Sequence, residues 1–256
     1  MSTPLPPWPY PRWIAHRGAG KLAPENTLAA FRLGARHGYR MFECDAKLSS
    51  DGVLFLLHDA TLERTTNGHG AAGERSMGEL AQLDAGGWHS RAYAGEAMPT
   101  LEALARYCLA NGHHLNVEIK PTPGQEQATG RAVGELLSRI WPATAVPPLL
   151  TSFKPAALTG ARETAPALPR GLLLDKLADG AADGAADVQT ALDLGCQAMV
   201  LNHALWDAAL VARVHGAGLR ALSYTVNDEW AAERLIALNT DGIITDRVDL
   251  FSPAAT

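Results

Sequence analysis

Residues 221–245, which read ALSYTVNDEWAAERLIALNTDGIIT, contain the unit that decides the fold. The apolar run at 221–226 predicts a buried strand, and the apolar residues at helical spacing across 228–238 predict an amphipathic helix. Another apolar run follows at 243–245, after Gly242, which suits the left-handed position at the end of a helix. A strand, a helix and a second strand in this order are the repeating unit of α/β folds.

The same unit recurs along the chain. Further glycines precede apolar runs in the same way at Gly38, Gly112, Gly195 and Gly218. The eight apolar runs that we predict to be parallel strands are residues 13–16, 41–48, 115–120, 149–153, 172–174, 199–201, 221–226 and 243–245. Eight strands, each followed by a helix, predict a (β/α)8 TIM barrel, a fold that typically has about 250 residues. The alternative is a doubly wound open sheet, since nothing in the pattern requires closure. We expect one catalytic domain over residues 1–256.

One further predicted strand cannot be parallel to its neighbour. Residues 53–59 follow the second strand after only four residues, which end in Asp51 and Gly52, whereas a parallel return needs a crossover of about a dozen residues or more. We therefore predict an antiparallel hairpin. A two-residue turn at Asp51 and Gly52 would place Asp45 opposite His58 on one face of this hairpin.

Residues 61–98 interrupt the alternation of strands and helices. They are rich in glycine, alanine and polar residues, with at most one short helix at 77–83. Because they come after a strand, we predict an insertion over the C-terminal mouth of the barrel, where loops build active sites. Residues 177–187 are predicted to be a loop rich in glycine, alanine and aspartate.

The composition excludes several classes of protein. The chain is 47% hydrophobic and 19% charged, which is typical of globular proteins and not of disordered or membrane-spanning ones. Its formal net charge of -5 disfavours nucleic acid and anionic membranes as partners. We therefore predict a small-molecule substrate, no nucleic acid and no stable membrane association, and leave the oligomeric state open.

The cysteines indicate a reducing compartment. Cys44, Cys108 and Cys196 are far apart and match neither a zinc site nor a disulfide framework. Residues 1–13 are proline-rich and lack the apolar run of a secretory signal. We therefore predict a cytoplasmic protein.

Charged side chains gather at the predicted strand ends. The candidates at three of these ends are His16 and Arg17, Glu43 and Asp45, and Glu118 and Lys120. The spacing i, i+2 within a strand places both members of the second and third pairs on one face of their strand. Several charged groups are therefore expected at one mouth of the barrel.

Three of these groups predict a metal site. Glu43, Asp45 and Glu118 are carboxylates in apolar strands, where an unpaired charge is costly to bury. An all-oxygen set of ligands predicts one hard divalent cation, Mg²⁺ or Ca²⁺. Arg17 and Lys120 would then hold the oxygens of a phosphate. The alternative is a set of metal-free salt bridges between these acids and the two bases.

His16 and His58 are the candidates for proton transfer, because imidazole titrates near neutral pH. A competing interpretation comes from residues 18–23 (GAGKLA), which fit the G-x-G-x-x-A pattern of dinucleotide-binding sites. That pattern needs a helix that starts within the glycines. Pro24 instead predicts a helix that starts later, which disfavours a dinucleotide site.

In this order along the chain, the motifs resemble those of the glycerophosphodiester phosphodiesterase family, in particular its cytosolic bacterial type. The resemblance covers nearly the whole chain. The motifs that carry it are His16-Arg17-Gly18, Pro24-Glu25-Asn26-Thr27, Glu43-Cys44-Asp45, Asp51-Gly52, His58-Asp59, residues 62–68 (LERTTNG), Glu118-Ile119-Lys120 and Thr225-Val226-Asn227.

The resemblance implies a metal-dependent hydrolase that cleaves glycerophosphodiesters to sn-glycerol 3-phosphate and an alcohol. It implies that His16 and His58 are the general acid and base and that the three carboxylates are the metal ligands. It also implies that the insertion covers the glycerol end of the substrate. Trp230 is a further candidate for packing against the glycerol carbons, with a purely structural role as the alternative.

Two other functions stay open at the level of sequence. A phospholipase-type barrel that cleaves phosphodiester bonds in lysophospholipids would need an apolar rim facing the membrane. A non-catalytic phosphodiester-binding protein would not need both histidines. Release of glycerol 3-phosphate distinguishes a binding protein from an enzyme.

Overall fold

The computed structural model describes residue 5 and residues 7–178 and 183–254. The β-strands among the described residues are β1 (Trp13–Ala15), β2 (Met41–Leu48), β3 (Leu54–Leu56), β4 (His114–Ile119), β5 (Leu149–Ser152), β6 (Arg170–Leu174), β7 (Ala198–Asn202), β8 (Arg220–Tyr224) and β9 (Gly242–Thr245). The α-helices among them are α1 (Leu28–Arg36), α2 (Met77–Leu80), α3 (Leu101–Ala110), α4 (Glu126–Ile140), α5 (Pro155–Thr164), α6 (Ala185–Asp193), α7 (Ala208–Gly216) and α8 (Glu229–Ala237).

Eight of the strands close into a parallel barrel. Strands pair in the order β1-β9-β8-β7-β6-β5-β4-β2, and β1 also pairs with β2 through Ala15 and Phe42. This last pairing closes the ring, so the open-sheet alternative is wrong and the predicted (β/α)8 TIM barrel is confirmed. Each predicted parallel strand overlaps an observed one, with ends that differ by at most a few residues.

β3 lies outside the ring and pairs antiparallel with β2, as predicted, but the predicted register is wrong. The N–H of Leu57 donates to the carbonyl of Asp45 at 3.0 Å, so Asp45 lies opposite Leu57 and not opposite His58. The N–H of Ser49 donates to the carbonyl of Val53 at 2.9 Å, which extends the pairing past the strand ends and leaves a loop of three residues, the last of which is Gly52 with a left-handed φ of 80°. The extra loop residue shifts the pairing by one position.

The helix ends follow the predicted glycine pattern with one exception. Left-handed backbone angles occur at Gly38, Gly112, Gly195 and Gly218. Gly242 instead lies inside β9, and Asn239 adopts the left-handed conformation after α8 with a φ of 64°. Asparagine tolerates this conformation because its short polar side chain can hydrogen-bond locally.

The first helix begins after the glycine-rich segment. Thr27 is the N-cap of α1, and its hydroxyl accepts a hydrogen bond from the N–H of Ala30 at 3.3 Å. The preceding glycines lead into a single 3-10 turn, Gly20–Leu22, and not into the N-terminus of an α-helix. The local structure therefore argues against a dinucleotide site.

The alternation of side chains along β2 determines which residues lie inside the barrel. Phe42 and Cys44 are buried in the cluster that packs between the sheet and the helices, whereas Met41 belongs to the apolar cluster inside the ring. Because side chains alternate with a period of two, Glu43 and Asp45 share the inner face with Met41. The carboxylates therefore stand above an apolar barrel interior.

The insertion at residues 61–98 packs on the hairpin through a small apolar cluster, to which Leu62, Leu80 and Met98 of the insertion and Phe55 of β3 contribute. Its regular structure consists of α2, two 3-10 turns and isolated β-bridges such as the one between Thr61 and Ala71.

Of the predicted loop at 177–187, residues 179–182 lie outside the described residues. Its end is helical, because α6 begins at Ala185. None of the helices in the described ranges is long and apolar enough to span a bilayer.

Candidate active site

Three carboxylates meet where β2 and β4 pair. Asp45 and Glu118 are direct partners in the parallel register, and Glu43 lies two residues before Asp45 on the same face. One oxygen from each of Glu43, Asp45 and Glu118 lies within 4.8 Å of the other two. The structure thus brings together the three residues that the sequence offers as metal ligands.

The protein's own groups leave this cluster incompletely satisfied. Glu43 Oε1 and Asp45 Oδ1 are buried oxygens that find no hydrogen-bond partner among the described residues. Burial, together with the charge of Asp45, raises the pKa of Glu43 to about 8, and burial raises the pKa of Glu118. A divalent cation would favour the ionised form of these groups and provide the missing partner. The donor set therefore fits a hard cation.

Two basic residues neutralise part of the negative charge. Arg17 Nε lies 3.1 Å from Asp45 Oδ2, and the backbone N–H of Arg17 donates to Glu43 Oε2 at 3.0 Å. Lys120 Nζ lies 2.7 Å from Glu118 Oε1 and 3.6 Å from Asp45 Oδ1. Burial would raise the pKa of Asp45, but Arg17 and Lys120 outweigh it and hold that pKa well below its usual range. The salt bridges of the alternative interpretation are present, yet among the described residues they give neither Glu43 Oε1 nor Asp45 Oδ1 a hydrogen bond.

Asn26 fixes the orientation of Asp45. Its side-chain N–H donates to Asp45 Oδ2 at 2.8 Å, and its side-chain oxygen accepts from the N–H of Asp45 at 3.2 Å. Asn26 is buried and has a φ of 58°, a conformation that asparagine adopts more readily than most residues. The motif Pro24-Glu25-Asn26-Thr27, which precedes α1, therefore orients Asp45 of β2 through the side chain of Asn26.

His16 is held by the last strand of the barrel. Its Nδ1 lies 2.6 Å from Oδ1 of Asp246, and its Nε2 lies 3.8 Å from Glu43 Oε2. Asn227 donates to the other oxygen of Asp246 at 2.8 Å. Burial would lower the pKa of His16, but the hydrogen bond to Asp246 and the charge of Glu43 together raise it.

His58 follows β3 and is paired with its neighbour in sequence. Its Nδ1 lies 2.7 Å from Oδ1 of Asp59. Burial lowers the pKa of His58, against the opposing influence of Asp45, and the cations Arg17 and Lys120 lower it further. Arg64 binds both Asp59 and Glu25, and Glu25 binds Arg17, so the His58 ring lies at the same mouth of the barrel as the charged cluster, although it is not opposite Asp45 in the hairpin.

A cleft lies beside the carboxylate cluster, between the barrel and the insertion. Its lining includes His16, Arg17, Arg64, Trp88 and His89. Trp88 and His89 come from the insertion, which therefore forms one wall of the cleft at this mouth.

Trp230 lies in the first turn of α8. Its side chain is 69% exposed, and its ring packs against the guanidinium of Arg234 at 5.6 Å. Contact between Trp230 and a substrate stays a prediction.

Two residues of this region were missed at the level of sequence. Asp246 is 230 positions from His16, so no local spacing connects them, although it directly follows an apolar strand as the other candidates do. Lys47 continues the i, i+2 series of Glu43 and Asp45, and this spacing could have identified it. Lys47 is buried, it donates to the carbonyl of Lys120 at 3.0 Å, and burial lowers its pKa to about 8.

Comparisons with known proteins agree in one family. The family model described as the glycerophosphoryl diester phosphodiesterase family matches residues 16–250. The Bacillus subtilis protein YhdW is 33% identical over 237 residues, covering 92% of this chain and 94% of that protein. A glycerophosphodiester phosphodiesterase of Caldanaerobacter subterraneus is 31% identical over 242 residues, covering 91% and 93% of the two chains.

Solved structures give the same result. A phosphodiesterase of Oleispira antarctica, determined in complex with the product sn-glycerol-3-phosphate, has a TM-score of 0.88 and 33% identity, covering 96% of this chain and 98% of that one. A glycerophosphodiester phosphodiesterase of Agrobacterium tumefaciens has a TM-score of 0.77 and 29% identity, covering 94% and 99%.

Proposed function

This chain belongs to the glycerophosphoryl diester phosphodiesterase family, and we propose on that basis that it hydrolyses glycerophosphodiesters to sn-glycerol 3-phosphate and an alcohol. The observation that carries the proposal is the meeting, at one barrel mouth, of a three-carboxylate cluster, an arginine and two histidines that are each paired with an aspartate. Phosphodiester hydrolysis needs charge stabilisation and two proton transfers, and these groups supply both.

Glu43, Asp45 and Glu118 would hold one divalent cation, Mg²⁺ or Ca²⁺. When bound, such a cation neutralises charge that develops on the phosphoryl oxygens. Arg17 and Lys120 would bind those oxygens as well, since both cations stand at the edge of the carboxylate cluster. The guanidinium of Arg17 can form paired hydrogen bonds to a phosphate, and the ammonium of Lys120 acts as a point charge.

The two histidines would have different protonation states near neutral pH. His58 has a lowered pKa, so its neutral ring can accept the proton of the attacking hydroxyl. His16 has a raised pKa, so its charged ring can donate a proton to the departing alcohol oxygen. Each ring uses Nδ1 toward its aspartate, which leaves Nε2 for the substrate.

The proposal is tested by following glycerophosphocholine with ³¹P NMR in the presence of Mg²⁺ or Ca²⁺. We expect sn-glycerol 3-phosphate, and a cyclic phosphate beforehand if the substrate's own glycerol hydroxyl is the nucleophile. His58→Asn should lower kcat by about 10² to 10⁴-fold while cation binding is retained. Absence of product would favour a binding protein, and cleavage of lysophospholipid vesicles alone would favour the phospholipase alternative.

A further inference from the structure

Arg64 of the insertion forms two paired contacts with two different carboxylates. Its Nε and Nη2 lie 2.6 Å and 3.0 Å from the two oxygens of Asp59. Its Nη1 and Nη2 lie 2.8 Å from the two oxygens of Glu25. One guanidinium therefore binds both acids with paired hydrogen bonds, a geometry that a lysine cannot provide.

Asp59 and Glu25 each contact a different residue of the candidate active site. Asp59 holds Nδ1 of His58 at 2.7 Å. Glu25 accepts a hydrogen bond from Arg17 Nη1 at 2.9 Å, and Arg17 in turn lies 3.1 Å from Asp45. Arg64 thus connects the predicted proton-transfer histidine with the predicted phosphate-binding arginine through one carboxylate on each side.

The segment that carries Arg64 is itself fixed. Leu62 is buried in the core of the insertion, and its carbonyl accepts from both the N–H of Thr66 at 3.1 Å and the hydroxyl of Thr66 at 2.7 Å. Glu63 accepts a hydrogen bond from the N–H of Gly70 at 2.7 Å. These contacts close a tight turn around Arg64, so its backbone is positioned before any substrate arrives.

We propose that Arg64 is a positioning residue, which orients the His58 ring through Asp59 and the Arg17 guanidinium through Glu25. The inference rests on the proposed function, because it concerns how the same site is kept in its reactive geometry. The insertion would then contribute to catalysis through Arg64 and would also form one wall of the cleft.

A purely structural explanation is that Arg64 only attaches the insertion to the barrel. The Arg64 side chain is 44% exposed, so solvent partly screens its ion pairs, and the less exposed Glu25 keeps a second cation in Arg17 at 2.9 Å. The insertion is also held to the hairpin by the apolar cluster that Leu62 and Leu80 form with Phe55, and helix α2 has its own N-cap, so neither feature involves Arg64. We therefore expect loss of Arg64 to change the reaction more than the stability.

The first test compares Arg64→Gln with Arg75→Gln. Arg75 is a matched control, since it is an exposed arginine of the same insertion, paired with Glu79 at 3.5 Å and outside the cluster. We expect Arg64→Gln to lower kcat by about 10- to 100-fold, with a smaller change in KM and an unchanged Tm. Arg75→Gln should leave kcat and KM unchanged. Equal kinetics for the two variants would overturn the proposal.

A second test does not depend on activity. The ring proton between His58 Nδ1 and Asp59 is observed by NMR and assigned by its loss in His58→Asn. We expect the signal to shift or broaden in Arg64→Gln and to stay unchanged in Arg75→Gln. An unchanged signal in Arg64→Gln would overturn the positioning role even if turnover falls. Because this readout needs no substrate, it also tests Arg64 if the wild-type protein hydrolyses no glycerophosphodiester.

Chemical rescue distinguishes positioning from a folding defect. Guanidinium ion at a non-denaturing concentration should restore part of the kcat of Arg64→Ala, and the same concentration of sodium ion should not. Arg64→Lys should remain impaired, because one ammonium cannot bind both carboxylates in pairs. Full activity of Arg64→Lys, or no rescue by guanidinium, would contradict the proposal.

Discussion

At the scale of single residues, the two imidazoles differ because their surroundings differ. His16 is close to two carboxylates, Asp246 and Glu43, and its pKa is raised. Burial lowers the pKa of His58, and the charges of Arg17 and Lys120 lower it further against the opposing influence of Asp45 and Asp59. One ring is therefore charged and the other neutral over the same range of pH, which is the requirement for acid and base to act together.

This difference predicts a bell-shaped dependence of kcat/KM on pH. The acid limb should reflect protonation of His58 below its ordinary pKa of 6.5, and the alkaline limb should reflect loss of the His16 proton above 6.5. Asp246→Asn removes an acid that raises the pKa of His16, so the alkaline limb should move roughly one pH unit lower. An alkaline limb that stays in place in this variant would separate His16 from the acid role.

The carboxylate cluster predicts that cation binding releases a proton. In the cation-free protein the pKa of Glu43 is about 8, so this group is mostly protonated at neutral pH and must lose its proton to become a ligand. Affinity for Mg²⁺ or Ca²⁺ should therefore rise from about pH 6.5 to about pH 8.5. Calorimetry in buffers of different ionisation enthalpy measures the released proton, and Glu43→Gln is the control. Proton release of the same size in Glu43→Gln would show that another group titrates.

The sequence identified the site residues that lie at strand ends, but not all of their partners. Charged residues in apolar strands are costly unless paired, so Glu43, Asp45 and Glu118 stand out without any structure. The partner of His16 does not stand out, because Asp246 reaches it only when β1 and β9 become neighbours. Long-range pairing of this kind depends on barrel closure, which local periodicity does not encode.

At the scale of elements, turns decide where the functional groups point. The predicted two-residue turn after β2 would have put His58 opposite Asp45, but a three-residue loop ending in a left-handed Gly52 moves the pairing by one residue. Both loop lengths suit a sequence with Asp51-Gly52, and the turn dipeptide alone does not select between them. His58 reaches the mouth because it lies beyond the end of β3.

Two left-handed glycines provide a matched pair of variants. A Cβ on Gly20 would clash with the carbonyl oxygen of Asp246, whereas a Cβ on Gly52 would meet no atom of the described residues within 4 Å. Gly52→Ala should therefore cost about 1 kcal/mol of unfolding free energy from backbone strain alone, with unchanged kcat. Gly20→Ala should cost more and also lower kcat, because it displaces the residue that holds His16. Urea unfolding and steady-state kinetics measure both effects, and equal kcat values for the two variants would contradict this explanation.

In the whole molecule, the two ends of the barrel have different roles: one end carries the candidate active site, and we expect the other to contribute to stability. The carboxylates, histidines and cleft lie at the C-terminal ends of the strands, where the loops of TIM barrels carry function. At the opposite end, Asp241 precedes β9 and binds His215 at 2.8 Å and Arg220 at 2.7 Å. This second set of charges joins helices to strands and is predicted to serve stability.

Asp241→Asn tests this division between the two ends. Removing one partner of a largely buried ion pair typically costs about 3 kcal/mol, so the variant should unfold at a lower urea concentration. Its kcat per folded molecule should equal that of the wild type, because the substitution is at the far end of the barrel. A large loss of kcat with normal stability would show that the two ends are coupled.

The fold as a whole was predictable for a simple reason. Each barrel strand is a largely apolar run, because both of its faces are buried, and the main charged interruptions are the site residues of β2 and β4. The sequence pattern did not predict closure. β1 and β2 could have the same apolar residues whether they pair with each other in a barrel or form the two edges of an open sheet. The pairing of Ala15 with Phe42 is a property of the assembled ring.

We propose that glycerophosphodiester cleavage depends on a cation held by the cluster of Glu43, Asp45 and Glu118. The rate of sn-glycerol 3-phosphate release is measured with chelator-treated protein that is titrated with Mg²⁺ or Ca²⁺. We expect no measurable release without cation and full recovery when one cation per chain is bound. Undiminished release by protein shown by elemental analysis to be free of divalent metal would contradict it.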